Sequence, residues 1–192
     1  ERQSTILNKL NLAKNKYLLA TIHRDNNTDI PERLNSIFKG LNSISIEKNI
    51  EIILPLHPRT AKLLPFNLDK DLYLIIQNNK RFKLTTPVSF LDMIMLEQNC
   101  KMVFTDSGGV QKEAYFFRKP SAILRSETEW IELVSNGASL ITDADSSRIV
   151  DAYDHFSGLN SDLCNNTVKF PPIFGDGKAA EFICEKILKA GA

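Results

Sequence analysis

The chain has 192 residues, 43% of them hydrophobic, with 24 Lys and Arg against 23 Asp and Glu and a formal net charge of +1. That length suits one domain or one large lobe with a real core. The balanced charge leaves no electrostatic case for nucleic acid or an anionic membrane as the main partner.

Residues 1–16 show no signal-peptide apolar region and no starting Met. They read like a chain entered partway, with residues 1–16 as a linker or helix ahead of the first strand. No apolar run approaches the ~20 residues of a membrane span. Cys100, Cys164 and Cys184 are widely spaced and form no Cys-x-x-Cys. A disulfide framework and a structural zinc site are both disfavoured, and reduced cytosol is the expected compartment.

YLLATI (residues 17–22) reads as a buried strand, followed by the polar break HRDNNTDIPE. Pro31 suits the first turn of the next helix, with Asp29 as its cap candidate. In that helix Leu34, Ile37, Phe38, Leu41 and Ile44 fall on one face. IEIILPL (50–56) is the second expected strand, and a short helix is expected over 59–64. LYLIIQ (72–77) is the third strand. PVSFLDMIMLEQN, opened by Pro87, is helical by its spacing. KMVFT (101–105), SAILR (121–125) and ASLIT (138–142) are the remaining strands. Helices are expected over 109–118 and 127–136, and again at 145–157 and 178–189. Between the last two, 158–176 is expected to be a long tether.

Strands alternating with helices predict an α/β fold, a Rossmann-like, doubly wound parallel sheet of about six strands in the order 3-2-1-4-5-6. Ligands of such sheets sit beyond the carboxyl ends of the strands. Four turns lie there: 23–29, 57–60, 106–109 and 125–129.

The turn TDSGG ends the fourth strand and opens a helix. Gly108 and Gly109 allow close backbone approach. The free N–H groups and dipole of the helix start favour an anion, and Ser107 adds a hydroxyl. Phosphate or diphosphate is the natural guest; simple helix capping by Asp106 and Ser107 is the alternative. Glu113, one turn further on, would repel a phosphate set against it. It suits ribose hydroxyls, or is a solvated helix residue. His23 and Arg24 follow the first strand, and His57 and Arg59 the second. All four can donate to phosphate oxygens. Arg125 stands at the mouth of the fifth strand. Residue types alone complete no reaction: the chain shows no evident metal cluster, nucleophile elbow or acid–base pair.

The motifs TIHRDNNTD, PLHPRT, TDSGGVQKEA, LRSETEWIELV and FGDGKAAEFI, in this order, resemble the C-terminal half of the non-hydrolysing UDP-N-acetylglucosamine 2-epimerases. That family often reads T-x-HR-x-EN, TDSGG-x-QEEA and R-D-T-TERPE at these places. The resemblance implies one lobe of a two-lobed fold like that of the B-type glycosyltransferases, with residues 17–192 as its UDP-binding lobe. It implies conversion of UDP-GlcNAc to UDP-ManNAc by loss and re-addition of UDP, without metal, NAD or other cofactor. It also implies a UDP-sugar as partner, a homodimer in the full-length form, and a role in cell-envelope polysaccharide biosynthesis. By the motif match Ser107, Gly108 and Gly109 would hold the diphosphate, joined by Arg24. Glu113 would bind ribose, and Phe90 or Met93 would lie against uracil. His23 and Arg125 would act at the reacting centre, and His57 would line a second UDP-sugar site.

The sequence departs from the family pattern at Asp25, Asn26, Lys112, Ser126, Glu127, Trp130 and Ile131. The SETEW form resembles a branch that includes epimerases of other UDP-acetamido sugars, uronic acids among them. The remaining alternatives are a glycosyltransferase donor lobe and a non-catalytic nucleotide-sugar module. The carboxylates for proton transfer come mainly from the N-terminal lobe in this family, so this chain alone is expected to bind UDP weakly and not to epimerise.

Overall fold

The computed structural model describes residues 4–159 and 168–190. The middle of the expected tether therefore lies outside the described residues. In chain order the elements are α1 (Ile6–Lys9), β1 (Tyr17–Thr21), α2 (Asp25–Thr28), α3 (Pro31–Glu47) and β2 (Glu51–Pro55). Then come α4 (Pro58–Asn67), α5 (Lys70–Asn78), β3 (Phe82–Thr85), α6 (Phe90–Asn99), β4 (Met102–Thr105) and α7 (Gly108–Phe116). β5 (Ser121–Ile123), α8 (Ile131–Ser135), β6 (Ser139–Ile141), α9 (Ser146–Leu159) and α10 (Ala179–Ala190) complete the described chain.

The strands form one parallel sheet in the order β3-β2-β1-β4-β5-β6. This is the expected order, with the third strand moved. LYLIIQ is not a strand: it forms most of α5. Asp69 caps that helix, accepting from the backbone N–H groups of Asp71 and Leu72. Only Leu72 and Ile76, one helical turn apart, are buried, while Leu74 and Ile75 face solvent. A short apolar run reads the same as strand or helix until its burial is known. The true β3 is the less apolar FKLT. Asp29 does not cap α3 either; Ile30 occupies that position without a side-chain bond, while Asp29 pairs with Arg59.

Period-two alternation splits the strands between two cores. Leu18, Ala20, Ile52, Leu54, Met102 and Phe104 face the core that α3 and α9 cover. Tyr17, Leu19, Ile53 and Val103 face the other core, covered by Leu96, Cys100 and Ala114. Ile6 of α1 is buried in that second core. Each fully buried large side chain contributes about 1.5–3 kcal/mol. Gly40 is where α3 meets α9: a Cβ there would lie 2.9 Å from the Ser146 carbonyl oxygen. Among the described residues, no helix is long and apolar enough to cross a membrane.

Candidate functional site

The sheet order reverses between β1 and β4, since β1 has β2 on one side and β4 on the other. Crevices open at such switch points. The Oγ1 atoms of Thr21 and Thr105 meet at 2.6 Å at the carboxyl ends of these two strands, and the chain leaves both strands into the candidate turns.

Asp106, the first residue after β4, is fully buried. Its carboxylate accepts from the backbone N–H of His23 (3.0 and 3.1 Å), from that of Arg24 (3.0 Å) and from Asn27 Nδ2 (3.1 Å). His23 Nδ1 lies 3.2 Å from Asp106 Oδ1. One buried carboxylate thus ties the turn after β1 to the turn after β4, and its acceptor sites are filled by donors. Asn27 also donates to the Leu124 carbonyl and accepts from Arg33, which brings the end of β5 into the same knot. Asn26, at the position where the family commonly carries Glu, is exposed.

Ser107 caps α7: its Oγ accepts from the Val110 N–H at 3.4 Å, and its own N–H is held by Thr105 Oγ1. Gly108 and Gly109 are the next two residues. Helix geometry gives their N–H groups no partner within α7. Trp130 Nε1 donates to the Gly108 carbonyl at 2.8 Å. A Cβ on Gly108 would meet Glu129 Oε2 at 3.2 Å, whereas one on Gly109 would find nothing nearer than 3.8 Å. Arg125 Nη1 is bound to both oxygens of Glu129, at 2.8 and 2.9 Å. Arg125 therefore reaches the glycine turn through Glu129. Thr128 Oγ1 donates to the buried Gln111 Oε1 and accepts from the Trp130 N–H, holding the 125–130 turn on α7.

Lys112 is set over Trp130 at 4.4 Å and over Phe174 at 4.5 Å. Lys112 and Trp130 are two of the departures from the family pattern, and here they contact each other as a cation–π pair.

His23, His57, Phe90 and Met93 line one apolar groove of about 310 Å³, together with Val110 at the start of α7. Phe90 is exposed at its rim, and Met93 is half-buried against the second core. The His23 and His57 rings are 5.7 Å apart. His57 caps α4, its Nδ1 accepting from the Arg59 N–H at 3.3 Å. Arg59 is engaged by Asp29 and Thr28. Arg24, Glu113 and Arg125 lie outside the groove lining. Arg24 is exposed and makes no side-chain hydrogen bond or ion pair among the described residues, while its charge acts on Glu129.

Glu113 faces Glu97 of α6. Glu97 is fully buried, and neither carboxyl oxygen has a hydrogen-bond partner in acceptable geometry. Burial, and then the Glu113 charge, push its pKa up to about 8. Sequence reading did not single out Glu97. Its signal was an acid four residues after Met93, on the apolar stripe of α6. Asp106 was read as a cap rather than as the knot of the site.

The pattern describing the UDP-N-acetylglucosamine 2-epimerase family matches residues 1–188. A UDP-N-acetylglucosamine 2-epimerase homolog of Methanococcus maripaludis is 45% identical over 79% of this chain and 41% of its own length. The UDP-2,3-diacetamido-2,3-dideoxy-D-glucuronate 2-epimerase of Pseudomonas aeruginosa is 38% identical over 90% of this chain and 44% of its own. The solved structure of Methanocaldococcus jannaschii UDP-GlcNAc 2-epimerase in complex with UDP-GlcNAc and UDP superposes with a TM-score of 0.80 at 33% identity. It covers 98% of this chain and 49% of that one. The chain spans about half the length of the curated relatives it matches. With its sheet order, its Asp106-tied turns and this match along almost its whole length, the chain belongs to the UDP-N-acetylglucosamine 2-epimerase family.

Proposed function

We propose that this chain is the nucleotide-binding half of an enzyme that epimerises C2 of a UDP-acetamido sugar, UDP-GlcNAc first among them. The observation that carries the reading is the Ser107–Gly108–Gly109 turn at the β1/β4 switch point, tied by Asp106 to His23 and Arg24. The N–H groups of Gly108 and Gly109 take the diphosphate, with the α7 dipole behind them. Arg24 closes over the phosphates. The Asp106 contact orients the His23 ring, leaving Nε2 directed away from that carboxylate. Glu113 takes the ribose, and the groove beside Phe90 and Met93 takes the uracil.

Loss of UDP develops negative charge on the leaving phosphate. Donors already aimed at that charge lower the barrier, and a single one is worth about 3–4 kcal/mol in comparable sites. Proton transfer at C2 falls to groups of the other half, so this chain alone binds UDP without turnover. Residues 1–16 link the two halves, and the full-length enzyme works as a cytoplasmic homodimer.

Calorimetric titration with UDP, comparing the parent with Ser107→Ala and Gly109→Ala, is the direct test. Binding at least about tenfold weaker in both variants is expected, from loss of the hydroxyl contact in Ser107→Ala and from a Cβ that keeps the phosphate off the backbone N–H groups in Gly109→Ala; unchanged affinity sinks the phosphate assignment. Turnover of UDP-GlcNAc by this chain alone would overturn the division of labour between the halves.

A second reading, a UDP-diacetamido uronate as substrate, is favoured by the Pseudomonas aeruginosa relative. The exposed Arg24 guanidinium would meet the sugar carboxylate. Feeding the full-length enzyme both sugar classes separates the readings.

A further inference from the structure

A second concavity opens at the opposite, amino-terminal edge of the sheet. The segments entering β1, β2, β4 and β5 converge there around about 810 Å³. Five cations line it: Lys16, Lys48, Lys101, Arg118 and Lys119, with no acidic side chain among the described lining residues. In a chain of net charge +1 this is a strong local excess. Among the described residues, Lys48 alone of the five has an ionic partner, Asp154 at 2.7 Å. Lys101 rests 4.9 Å over the Tyr153 ring, and Lys119 donates to Asn15 Oδ1 at 2.8 Å. The side chains of Lys16 and Arg118 have no partner among the described residues.

The cations stand on fixed backbone. The N–H groups of Asn15, Lys101, Arg118 and Lys119 donate to the carbonyls of Asn99, Tyr17, Tyr115 and Ala114 at 2.8–2.9 Å. Three lining residues, Asn15, Asn49 and Arg118, hold φ of 55°, 53° and 56°. Asn tolerates that region; Arg does so at a cost. The turn thus sets a strained arginine at the rim. Burial holds the Lys119 ammonium below its ordinary pKa, so an arriving counter-charge gains more there than at an open surface. Clefts lined by one sign of charge concentrate ions of the other. Phe170, packed 5.3 Å from Tyr115, supplies a ring on the wall.

We propose that this pocket binds a small anion carrying two or more phosphoryl groups, at a site separate from the β1/β4 crevice. Arg118 offers a planar fork and the lysines point charges, a set suited to adjacent phosphate oxygens. The ring wall admits an organic portion as well.

The test is an amide-resolved NMR titration of this chain with inorganic pyrophosphate. It is run on the parent, Ser107→Ala, Arg118→Gln and Lys101→Gln, with melting curves to verify folding. Shifts at Asn15, Lys16, Arg118 and Lys119 are expected in the parent and in Ser107→Ala alike. Affinity should fall at least about tenfold in Arg118→Gln and Lys101→Gln, and should fall with added salt. UDP in a second arm should bind here more tightly than pyrophosphate if the ring wall takes part, and equally if phosphate alone is read. Shifts confined to Ser107–Val110, equal shifts with citrate, or affinity unaffected by both charge variants would each overturn the proposal. Failure here and failure at the glycine turn are distinguishable, because each site has its own set of shifting amides and Ser107→Ala alters only the glycine turn.

Discussion

Asp106 and His23, 83 residues apart in sequence, are joined by three contacts of 3.0 to 3.2 Å: two from the His23 N–H and one from its Nδ1. The carboxylate is buried and the imidazole a third exposed. The acid therefore works from behind the turn, and the imidazole remains available at the groove.

Asp106→Asn should be costly. The amide places an NH2 among donors and leaves at least one buried N–H without an acceptor. A loss of about 3 kcal/mol is expected from a broken buried charged hydrogen-bond set. Urea unfolding measures it, and a loss under about 1 kcal/mol would show that the knot is not structural.

Glu97 makes stability depend on pH with an unusual sign. Its folded pKa, about 8, lies above the ordinary 4.5. Between those values the folded state holds a proton that the unfolded state has released. Stability should therefore decline as pH rises from about 4.5 to 8 and level off above. The charged group facing Glu97 is Glu113, with the Cys100 thiol also close. Glu97→Gln should flatten this decline and be the more stable protein at pH 8.5. Parallel urea curves from pH 5 to 9 decide it; identical slopes in parent and variant would remove Glu97 as the cause.

Gly→Ala in a helix interior normally gains about 1 kcal/mol. Gly40→Ala should do the reverse. Its Cβ meets the Ser146 backbone, which cannot swing aside, and overpacking of that kind costs about 1–3 kcal/mol. A lowered melting temperature is the expected readout. Gly109→Ala, whose Cβ would make only an ordinary 3.8 Å contact with Ser107 Oγ, is the contrasting variant and should not lower the melting temperature.

Trp130→Phe removes the Nε1 donor to the Gly108 carbonyl but keeps a ring under Lys112. Lys112→Met removes the cation and keeps the stem. Losses of about 1 kcal/mol and about 0.5–1 kcal/mol are expected. A double-mutant cycle that pairs Lys112→Met with Trp130→Leu, which removes the ring, should show coupling between the two. Strict additivity would mean that the ammonium and the ring are merely neighbours.

Much of the fold was legible because most strands here are buried on both faces, and such strands read as plain apolar runs. Tyr17 to Thr21 and Met102 to Thr105 are of this kind. The same cue failed at LYLIIQ, where a helix half-covers a surface and half its apolar residues stay wet. FKLT was passed over because an edge strand carries less apolar weight. The glycine turn was legible from residue types alone. The knot behind it was not: Asp106, Asn27 and Leu124 meet only once three strands are aligned. Local pattern also placed Asp29 as a cap, when tertiary geometry gave it Arg59.

The sheet ends in very short strands, four residues in β3 and three in β6. An unpaired strand edge is a template on which a foreign chain can add itself, and its danger grows with its length. Here a partner would find only a few ladder positions at either end. On β3 it would also meet Lys83, whose ammonium is fastened to Glu51 and to the Leu10 carbonyl. Short, charged margins are a defence against edge-to-edge aggregation. The sheet therefore guards its own borders, and lengthening β3 with apolar residues in place of Lys83 is the change that should turn this chain toward fibrils.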